Sequence, residues 1–308
     1  MIEPLDVLGL GCTAVDDLLY VESYPPADGK EPVRRHERQG GGLTATALVA
    51  AARMGARCAY AGSLGDDELS QFVERRLGEQ HVTLDYLHRQ PGCQPVHSVI
   101  VVDETRQTRA IFFDTHGAGG AVPDWPREEV ICAAKVLLVD HFGIEGMIRA
   151  AHVALAAGIA VVADFESIPP DVRFAELAAL ADHPVVSLGF AQRWTGREHP
   201  AEAAKALWSD RRQAVVVTCG AEGCWYLGGD DPGNPRCQPA YRVTVADTTG
   251  CGDVFHGAYA AALAQGLALP ERIRFASAAA ALKARGRGGQ AAIPTRDAVE
   301  NFLKESGL

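Results

Sequence analysis

Short apolar runs alternate with alanine-rich segments of helical periodicity along the whole chain. The runs predict strands at residues 6–10, 58–62, 136–139, 160–163, 185–187 and 214–218. The segments between and after them predict helices at residues 44–54, 68–79, 144–157, 174–181, 201–208, 253–266 and 272–284. This order is typical of an α/β fold in three layers, with a mostly parallel central sheet and helices on both faces.

Two segments, residues 12–38 and 95–116, interrupt the alternation. Each contains a strand-like run without a partner helix, at residues 20–22 and 98–102. We predict that these segments form a small separate β-sheet. Because no internal repeat or low-complexity linker divides the chain, residues 1–308 are predicted to form a single domain that carries this sheet as an insertion.

The most informative motif is D-T-T-G-C-G-D at residues 247–253, which leads into a predicted helix of small residues. Glycines on both sides of Cys251 let backbone amides approach an anion, and the positive end of the helix points to the same place. Asp253 would lie in the first helical turn, where it could accept a proton from a hydroxyl attacking a bound phosphate. We expect the local positive field to keep this carboxylate ionised. A helix cap with a turn would explain the first four residues, but the complete motif predicts phosphoryl transfer.

The composition narrows the choice of partner. The net charge is −10 and basic runs are absent, which disfavours nucleic acid or an anionic membrane. No apolar stretch reaches the ~18 residues of a membrane helix, and the first residues lack the basic region of a signal peptide, so we expect a cytoplasmic protein. The eight cysteines are dispersed without CxxC pairs, which predicts neither a zinc site nor a disulfide framework. A small-molecule ligand is therefore expected.

Residues 247–258 resemble the C-terminal signature of the ribokinase-like, or PfkB-type, carbohydrate kinases. The glycines at residues 40–42 and the R-M-G at residues 53–55 resemble the N-terminal signature of the same family, so the resemblance covers nearly the whole chain. It implies a ribokinase-like fold and ATP-dependent phosphorylation of a primary hydroxyl of a small sugar, with Mg²⁺. In this family the small sheet is a lid over the sugar and often a dimer interface, so a homodimer formed through the lid is expected. The catalytic residues that the resemblance implies are the base Asp253 and the anion-hole residues Gly250, Cys251 and Gly252.

Two acidic residues follow the first predicted strand at the carboxyl edge of the sheet, where open α/β sheets bind their ligands. Asp16 or Asp17 could accept hydrogen bonds from vicinal sugar hydroxyls, and either could equally be a solvated turn residue. The resemblance favours Asp16. Thr46 stands where many relatives have an asparagine that contacts the substrate. The substrate-binding residues predicted from the resemblance are Asp16, Gly40, Gly41, Gly42, Thr46 and Lys30.

The glycine turn, the lid and the C-terminal signature are most similar to the branch of the family that contains sulfofructose kinase. That branch phosphorylates a ketohexose-type C1 hydroxyl. A sulfonate requires cations, and the chain is apolar at Phe142, where an arginine is expected. Lys30, Arg34 and Arg35 could supply the charge instead. A ketohexose, a sulfosugar or a related sugar is therefore the predicted substrate.

On the nucleotide side, residues 215–223 resemble the family's T-x-G-x-x-G element beside the ATP phosphates, although a hydroxyl and a glycine after a strand are also ordinary turn chemistry. Residues 274–280 lie where related kinases place the adenine pocket. Their alanine run is equally typical of close helix packing. The predicted nucleotide contacts are Thr218, Gly220, Gly223, Thr248, Ser277 and Ala280.

The resemblance also implies two kinds of cation, Mg²⁺ and a monovalent cation. Many relatives organise Mg²⁺ with an N-x-x-E element, but residues 187–190 read S-L-G-F. Asp164 and Glu166 could be substitute carboxylates, or ordinary surface acids. Some relatives also hold a monovalent cation such as K⁺ beside the anion hole, with residues that match Asp247 and Thr249.

Two other functions remain open at the level of sequence. A nucleoside kinase of the same fold would need apolar or aromatic surface for a base. A non-catalytic sugar or nucleotide sensor would explain Thr46 and the missing N-x-x-E element, but a sensor has no need of the base Asp253.

Overall fold

The computed structural model describes residues 2–106 and 108–306. The strands are β1 Leu5–Gly9, β2 Ala14–Val21, β3 Arg35–Gly41, β4 Cys58–Tyr60, β5 Ser63–Leu64, β6 Val82–Thr83, β7 His88–Arg89, β8 Val96–Asp103, β9 Thr108–Asp114, β10 Ala134–Val139, β11 Ala160–Phe165, β12 His183–Ser187, β13 Ala214–Thr218, β14 Cys224–Gly228 and β15 Arg236–Gln238. The helices are α1 Leu43–Arg53, α2 Glu68–Glu79, α3 Glu128–Ile131, α4 Ile144–Ala156, α5 Phe174–Leu180, α6 Leu188–Thr195, α7 Pro200–Leu207, α8 Cys251–Ala264, α9 Leu269–Ala284 and α10 Arg296–Glu305.

The large sheet has nine strands in the order β15-β14-β13-β12-β11-β10-β1-β4-β6. In this spatial order, the strands from β13 to the edge strand β6 run parallel to one another. At the other edge, β14 and β15 pair antiparallel. The first strand lies between β10 and β4, so the chain order reverses around β1. Open α/β sheets bind ligands beyond the carboxyl ends of the strands at such a reversal.

Helices cover both faces of this sheet, as predicted. In β13, Ala214 and Val216 belong to the core beneath α1, α2, α8, α9 and α10, while Val215 and Val217 belong to the core beneath α3 to α7. The alternation follows from the period of two in a strand. Small residues let the layers approach closely. A Cβ on Gly257 of α8 would lie 2.0 Å from the carbonyl oxygen of Ala47 in α1.

The two interrupting segments form a separate four-stranded sheet in the order β3-β2-β8-β9, which confirms the predicted small sheet; we call it the lid. The pair β2 and β8 is parallel, and β3 and β9 pair antiparallel on the outer sides. The strands are longer than the predicted runs at 20–22 and 98–102, because the polar positions of β2 and β8 also pair. Among the helices of the described residues, none has the length and apolar character of a membrane span.

Candidate active site

The predicted phosphate turn is formed at the N-terminus of α8. Gly250 has a φ of 74° and precedes the helix, which begins at Cys251. A left-handed φ is unfavourable for other residues, so the turn requires glycine here. The Cys251 amide donates to the carbonyl oxygen of Thr248 over 3.2 Å. Within the described residues, the amides of Gly252 and Asp253 have no acceptor, so they are the amides best able to bind an anion.

Asp253 lies in the first turn of α8 and is partly exposed. Burial raises the pKa of its carboxyl group well above the usual range, and the negative charges of Asp164, Glu166 and Asp16 raise it further. The ammonium group of Lys283 acts in the opposite direction. The local positive field favours the ionised form, as expected, but the net shift of the Asp253 pKa is in the opposite direction. Burial and neighbouring carboxylates outweigh the helix terminus.

The two candidate sugar carboxylates lie on opposite faces of the lid strand β2, because successive strand residues alternate. Asp17 is buried and accepts from Arg38 Nε over 2.8 Å, with His97 Nε2 also 2.8 Å away. The hydrogen bonds from Arg38 hold the pKa of Asp17 below its usual range. Burial instead raises the pKa of Asp16, which forms no salt bridge within the described residues. Asp16 is thus the carboxylate whose charge acts on Asp253.

The glycine run at residues 40–42 lies between Asp16 and Gln290, a residue that belongs to none of the sequence motifs. A Cβ on Gly41 would lie 2.5 Å from Oδ2 of Asp16, so this glycine makes room for the carboxylate. A Cβ on Gly40 would lie 2.6 Å from Oε1 of Gln290. Gln290 donates through Nε2 to the hydroxyl of buried Thr46 over 3.2 Å, and its Oε1 has no partner in the described part of the chain. These contacts link Asp16, Gly40, Gly41 and Thr46 of the predicted sugar residues and add Gln290 to them, whereas no such contact includes Lys30.

Asp140, a second residue outside the sequence motifs, fixes the start of α1. Asp140 is fully buried and accepts from the amides of Cys12 over 2.7 Å and Phe142 over 2.8 Å. It also accepts from the hydroxyl of Thr44 over 2.9 Å. Gly42, with a φ of 93°, precedes α1 at this place. Asp140 thereby ties the ends of β1 and β10 to the helix behind the glycine run.

The cations expected for a sulfonate are mostly neutralised. Arg34 pairs with Glu22, and Arg35 pairs with Glu37 over 2.9 Å. Lys30 lies exposed in the loop between β2 and β3. Two of the three expected cations therefore already have carboxylate partners in the lid.

The nucleotide residues lie on two elements that meet. Thr218 ends β13, and the turn of Gly220 to Gly223 follows, with positive φ at both glycines. Ser277 of α9 is buried beside Cys224, the next residue after that turn. Its hydroxyl has no hydrogen-bond partner within the described residues, and Ala280 is partly exposed one turn later. A polar atom without a partner beside the turn is consistent with a ligand contact.

The carboxylates available to Mg²⁺ lie at the end of β11. Across residues 2–106 and 108–306, no cluster of three or more His, Cys, Asp or Glu side chains forms a metal site. Oδ2 of Asp164 is buried without a hydrogen bond, 3.2 Å from Nδ1 of His256, which lies closer to the Gly252 carbonyl oxygen. Exposed Glu166 is near enough to raise the pKa of Asp164 further, after burial. Two carboxylates with an unused oxygen fit a hard cation that retains most of its water.

The predicted monovalent-cation site at Asp247 and Thr249 does not fit a free ion. Oδ1 of Asp247 accepts from the Thr249 amide over 2.9 Å and hydroxyl over 2.7 Å, and Oδ2 accepts from the Gly288 amide over 2.8 Å. Arg109 of the lid donates to the Thr249 hydroxyl over 2.6 Å, and Lys283 donates to the Asp247 carbonyl oxygen over 3.0 Å. These oxygens are thus engaged by donors, two of which are positively charged and would repel a cation.

A cavity of about 580 Å³ lies between the lid and the turn before α8. Its lid wall has an apolar part formed by Leu18, Tyr20, Ile100 and Val102, and a polar part to which Asp103 and Glu104 contribute. Thr248, Arg109 and Arg287 also line it. Asp16 and Asp253 lie outside this lining, so the cavity extends the site along the lid from the phosphate turn.

Comparisons with known proteins agree with this geometry. The sequence matches the pfkB family of carbohydrate kinases over residues 6–296. Ribokinase from Haemophilus influenzae is 27% identical over 275 residues, which cover 86% of this chain and 88% of that protein. Probable fructokinase-4 from Arabidopsis thaliana is 26% identical, covering 86% of this chain and 87% of that protein. Aminoimidazole riboside kinase from Salmonella typhimurium is 26% identical, covering 87% of this chain and 89% of that protein.

A crystal structure of a ribokinase candidate from Agrobacterium tumefaciens has a TM-score of 0.89 at 30% identity and covers 98% of both chains. This likeness confirms the predicted ribokinase-like fold. Since the family match spans most of the sequence, the chain belongs to the pfkB family of carbohydrate kinases.

Proposed function

We propose that the protein transfers the γ-phosphoryl group of ATP to a primary hydroxyl of a small sugar, with Asp253 as the base. The observation that carries this proposal is the N-terminus of α8. There the amides of Gly252 and Asp253 lack acceptors within the described residues, beside a carboxylate of raised pKa. Anion-binding amides next to a proton acceptor are what phosphoryl transfer to a hydroxyl requires.

The raised pKa of Asp253 suits this role. A general base is most effective when its pKa lies close to the working pH, and burial moves this carboxylate in that direction. The amides of Gly252 and Asp253 would stabilise charge that develops on the transferring group. The Cys251 amide could join them by giving up its long bond to Thr248. When bound, Mg²⁺ would supply positive charge to the nucleotide phosphates, with Asp164 and Glu166 placed to hold it through water.

The nucleotide would lie between the turn after β13 and α9. Thr218 and the two glycines of that turn would contact its phosphates, together with Thr248. Ser277, with its unpartnered hydroxyl, and Ala280 would border the adenine. This arrangement directs the γ-phosphate toward the start of α8.

We place the sugar against the lid and the glycine run. Asp16 would accept hydrogen bonds from two neighbouring hydroxyls, in the space that Gly41 leaves open. Thr46 and Gln290 would bound the sugar beside Gly40. A ketohexose phosphorylated at C1 is the proposed substrate class. A sulfosugar would have to draw on Lys30, because Arg34 and Arg35 have carboxylate partners.

A nucleoside is the second candidate substrate, and one observation favours it. In the cavity of about 580 Å³ beside the phosphate turn, the ring of Tyr20 and three aliphatic side chains form an apolar part of the lid wall. A flat base could lie on such a wall. One relative is named an aminoimidazole riboside kinase.

We further propose that two copies associate through the lid. The edge strand β9 exposes three adjacent apolar side chains, Ile111, Phe112 and Phe113, which are 47%, 55% and 70% exposed. Natural proteins rarely leave an apolar edge strand uncovered. Sedimentation of the wild type beside an Ile111→Ser, Phe113→Ser variant tests this, with a dimer expected for the wild type alone.

The substrate is tested by ADP release from Mg·ATP over a panel of fructose, ribose, fructose 6-phosphate, sulfofructose and adenosine. Calorimetric ATP binding is measured on the same preparation. Release that depends on a ketohexose or a sulfosugar is expected. Release with adenosine alone would favour the nucleoside kinase. ATP binding without release for any compound would favour the sensor and contradict the kinase on this panel.

A further inference from the structure

Lys283 is fully buried near the end of α9, although lysine is rarely fully buried without a partner. Its ammonium group contacts one acceptor within the described residues, the carbonyl oxygen of Asp247 at 3.0 Å. Burial lowers the pKa of Lys283, while the charges of Asp247 and Asp253 oppose that change. The hydrogen bond to the Asp247 carbonyl oxygen favours the ammonium form of Lys283, because an ammonium group is a stronger donor than an amine.

The surroundings of Lys283 favour a cation. The amides of Ala246 and Asp247 donate to the carbonyl oxygen of Ala284 over 2.8 and 3.2 Å, which fixes the start of the phosphate turn against the end of α9. The C-terminal end of a helix carries partial negative charge and attracts cations. The Asp247 carbonyl and this helix end together form a place for one positive charge. Lys283 fills it with its own side chain.

This place adjoins the anion hole. Asp247 begins the turn whose Gly250 precedes α8, and its carboxylate holds the Thr249 amide and hydroxyl. A cation on the Asp247 carbonyl therefore fixes the peptide from which the turn starts. The charge of Lys283 also acts on Asp253, whose pKa it lowers.

We propose that the ammonium group of Lys283 is a built-in monovalent cation for the phosphate turn, an inference that rests on the kinase function proposed above. It takes the role that the family resemblance assigned to K⁺ at Asp247 and Thr249. Because it is covalently attached, it is always present and needs no free ion. Lys283 is a positioning residue, since it contacts the turn and not the substrate. The protein is therefore independent of K⁺.

The first test needs no turnover. The melting temperature and the affinity for a non-hydrolysable ATP analogue are measured in KCl, NaCl and tetramethylammonium chloride at one ionic strength. The wild type is expected to show the same values in all three salts. A higher melting temperature or tighter analogue binding specific to K⁺ would overturn the proposal. This readout remains valid even if no sugar on the panel is phosphorylated.

The second test uses Lys283→Met, which keeps the length of the side chain without its charge, and Lys283→Ala, which leaves space for an ion. Lys304→Met, on an exposed position of α10, is the control. Loss of Lys283 should lower kcat by about tenfold with a small change in the KM for ATP. K⁺ should restore part of this loss, and raise the melting temperature, in Lys283→Ala but not in Lys283→Met. A Lys283→Met protein with the kcat of the wild type would overturn the proposal.

Discussion

The phosphate turn and the lid are built in different ways. The turn at residues 247–253 is contiguous in sequence, and its anion-binding groups are backbone amides at one helix terminus. The lid surface assembles β2, β3, β8 and β9, and its groups act through contacts distant in sequence. Asp17, for example, pairs with Arg38 and contacts His97, which lie on two other strands.

The difference separates chemistry from specificity. A backbone site tolerates changes of side chain, so the same phosphoryl transfer can be kept while the sugar changes. The charges that the lid can offer to a substrate depend on which of its side chains already form ion pairs, as Arg34 and Arg35 do. We therefore propose that the substrate is decided at the lid, and the reaction at the turn.

Apart from loss of the base Asp253, the largest expected effect separates the two acidic residues of β2. Asp16→Asn should lower kcat/KM for the sugar by about a hundredfold, because a charged hydrogen-bond acceptor for the hydroxyls is lost. Asp17→Asn is the matched control. It removes a carboxylate of the opposite face, so kcat/KM should fall by less than about threefold. Equal losses in steady-state kinetics would contradict the assignment of Asp16.

A smaller effect is expected from the turn itself. Gly250→Ala places a side chain at a φ of 74°, which costs about 1–2 kcal/mol of stability and should lower kcat by about tenfold through a displaced amide. Gly55→Ala is the control, because Gly55 has a φ of 85° and open space around it. Both variants should lose similar stability in urea unfolding. A normal kcat for Gly250→Ala would show that the turn geometry does not matter for catalysis.

The stability of the site depends on pH in a defined direction. The pKa of Asp253 is raised in the folded protein, so the protonated side chain favours folding. This contribution to the free energy of unfolding is complete below the pKa of the unfolded state, about 4, and it is lost as the pH rises through the pKa of the folded state. At neutral pH, Asp253→Asn should therefore melt about 2–4 °C higher than the wild type. The gain should disappear near pH 4. Calorimetric scans at both pH values measure it, and a lower melting temperature at neutral pH would contradict the raised pKa.

The smallest effect concerns the contact between the two regions. Arg109→Gln removes the hydrogen bond from the lid to Thr249 at a half-exposed position, so the sugar KM should rise by no more than about threefold. Arg106→Gln is the control, because Arg106 pairs with Asp103 inside the lid. An increase in KM for the control alone would show that the lid is not held to the turn by Arg109.

The elements that sequence predicted well depend on local pattern. Strand β13 at Ala214–Thr218 and helix α2 at Glu68–Glu79 have the predicted limits. Periodic apolar positions and the capping Asp67 define them within a few residues. Strands β14 and β15 were not predicted, because they pair antiparallel at the sheet edge and do not alternate with α-helices. Helices α6 and α10 were also missed.

The residues of the candidate site also divide into those that a local sequence pattern could identify and those that it could not. The anion turn could be recognised because its chemistry lies in consecutive residues. Gln290, Asp140 and Lys283 could not, because each acts on a partner that only the fold brings near. For Lys283 the one available signal was a lysine within an otherwise apolar helix face. The upward shift of the Asp253 pKa could not be predicted for the same reason, since burial and carboxylates distant in sequence cause it.

The central claim is that Asp253 accepts the proton of the sugar hydroxyl at the phosphate turn. The most direct measurement is the rate of ADP formation by Asp253→Asn with a substrate identified for the wild type, with ATP binding measured in parallel. Asp210→Asn, at an exposed position before β13, is the control. The account predicts that Asp253→Asn loses about a thousandfold in kcat while it still binds ATP. A rate close to that of the wild type would contradict it.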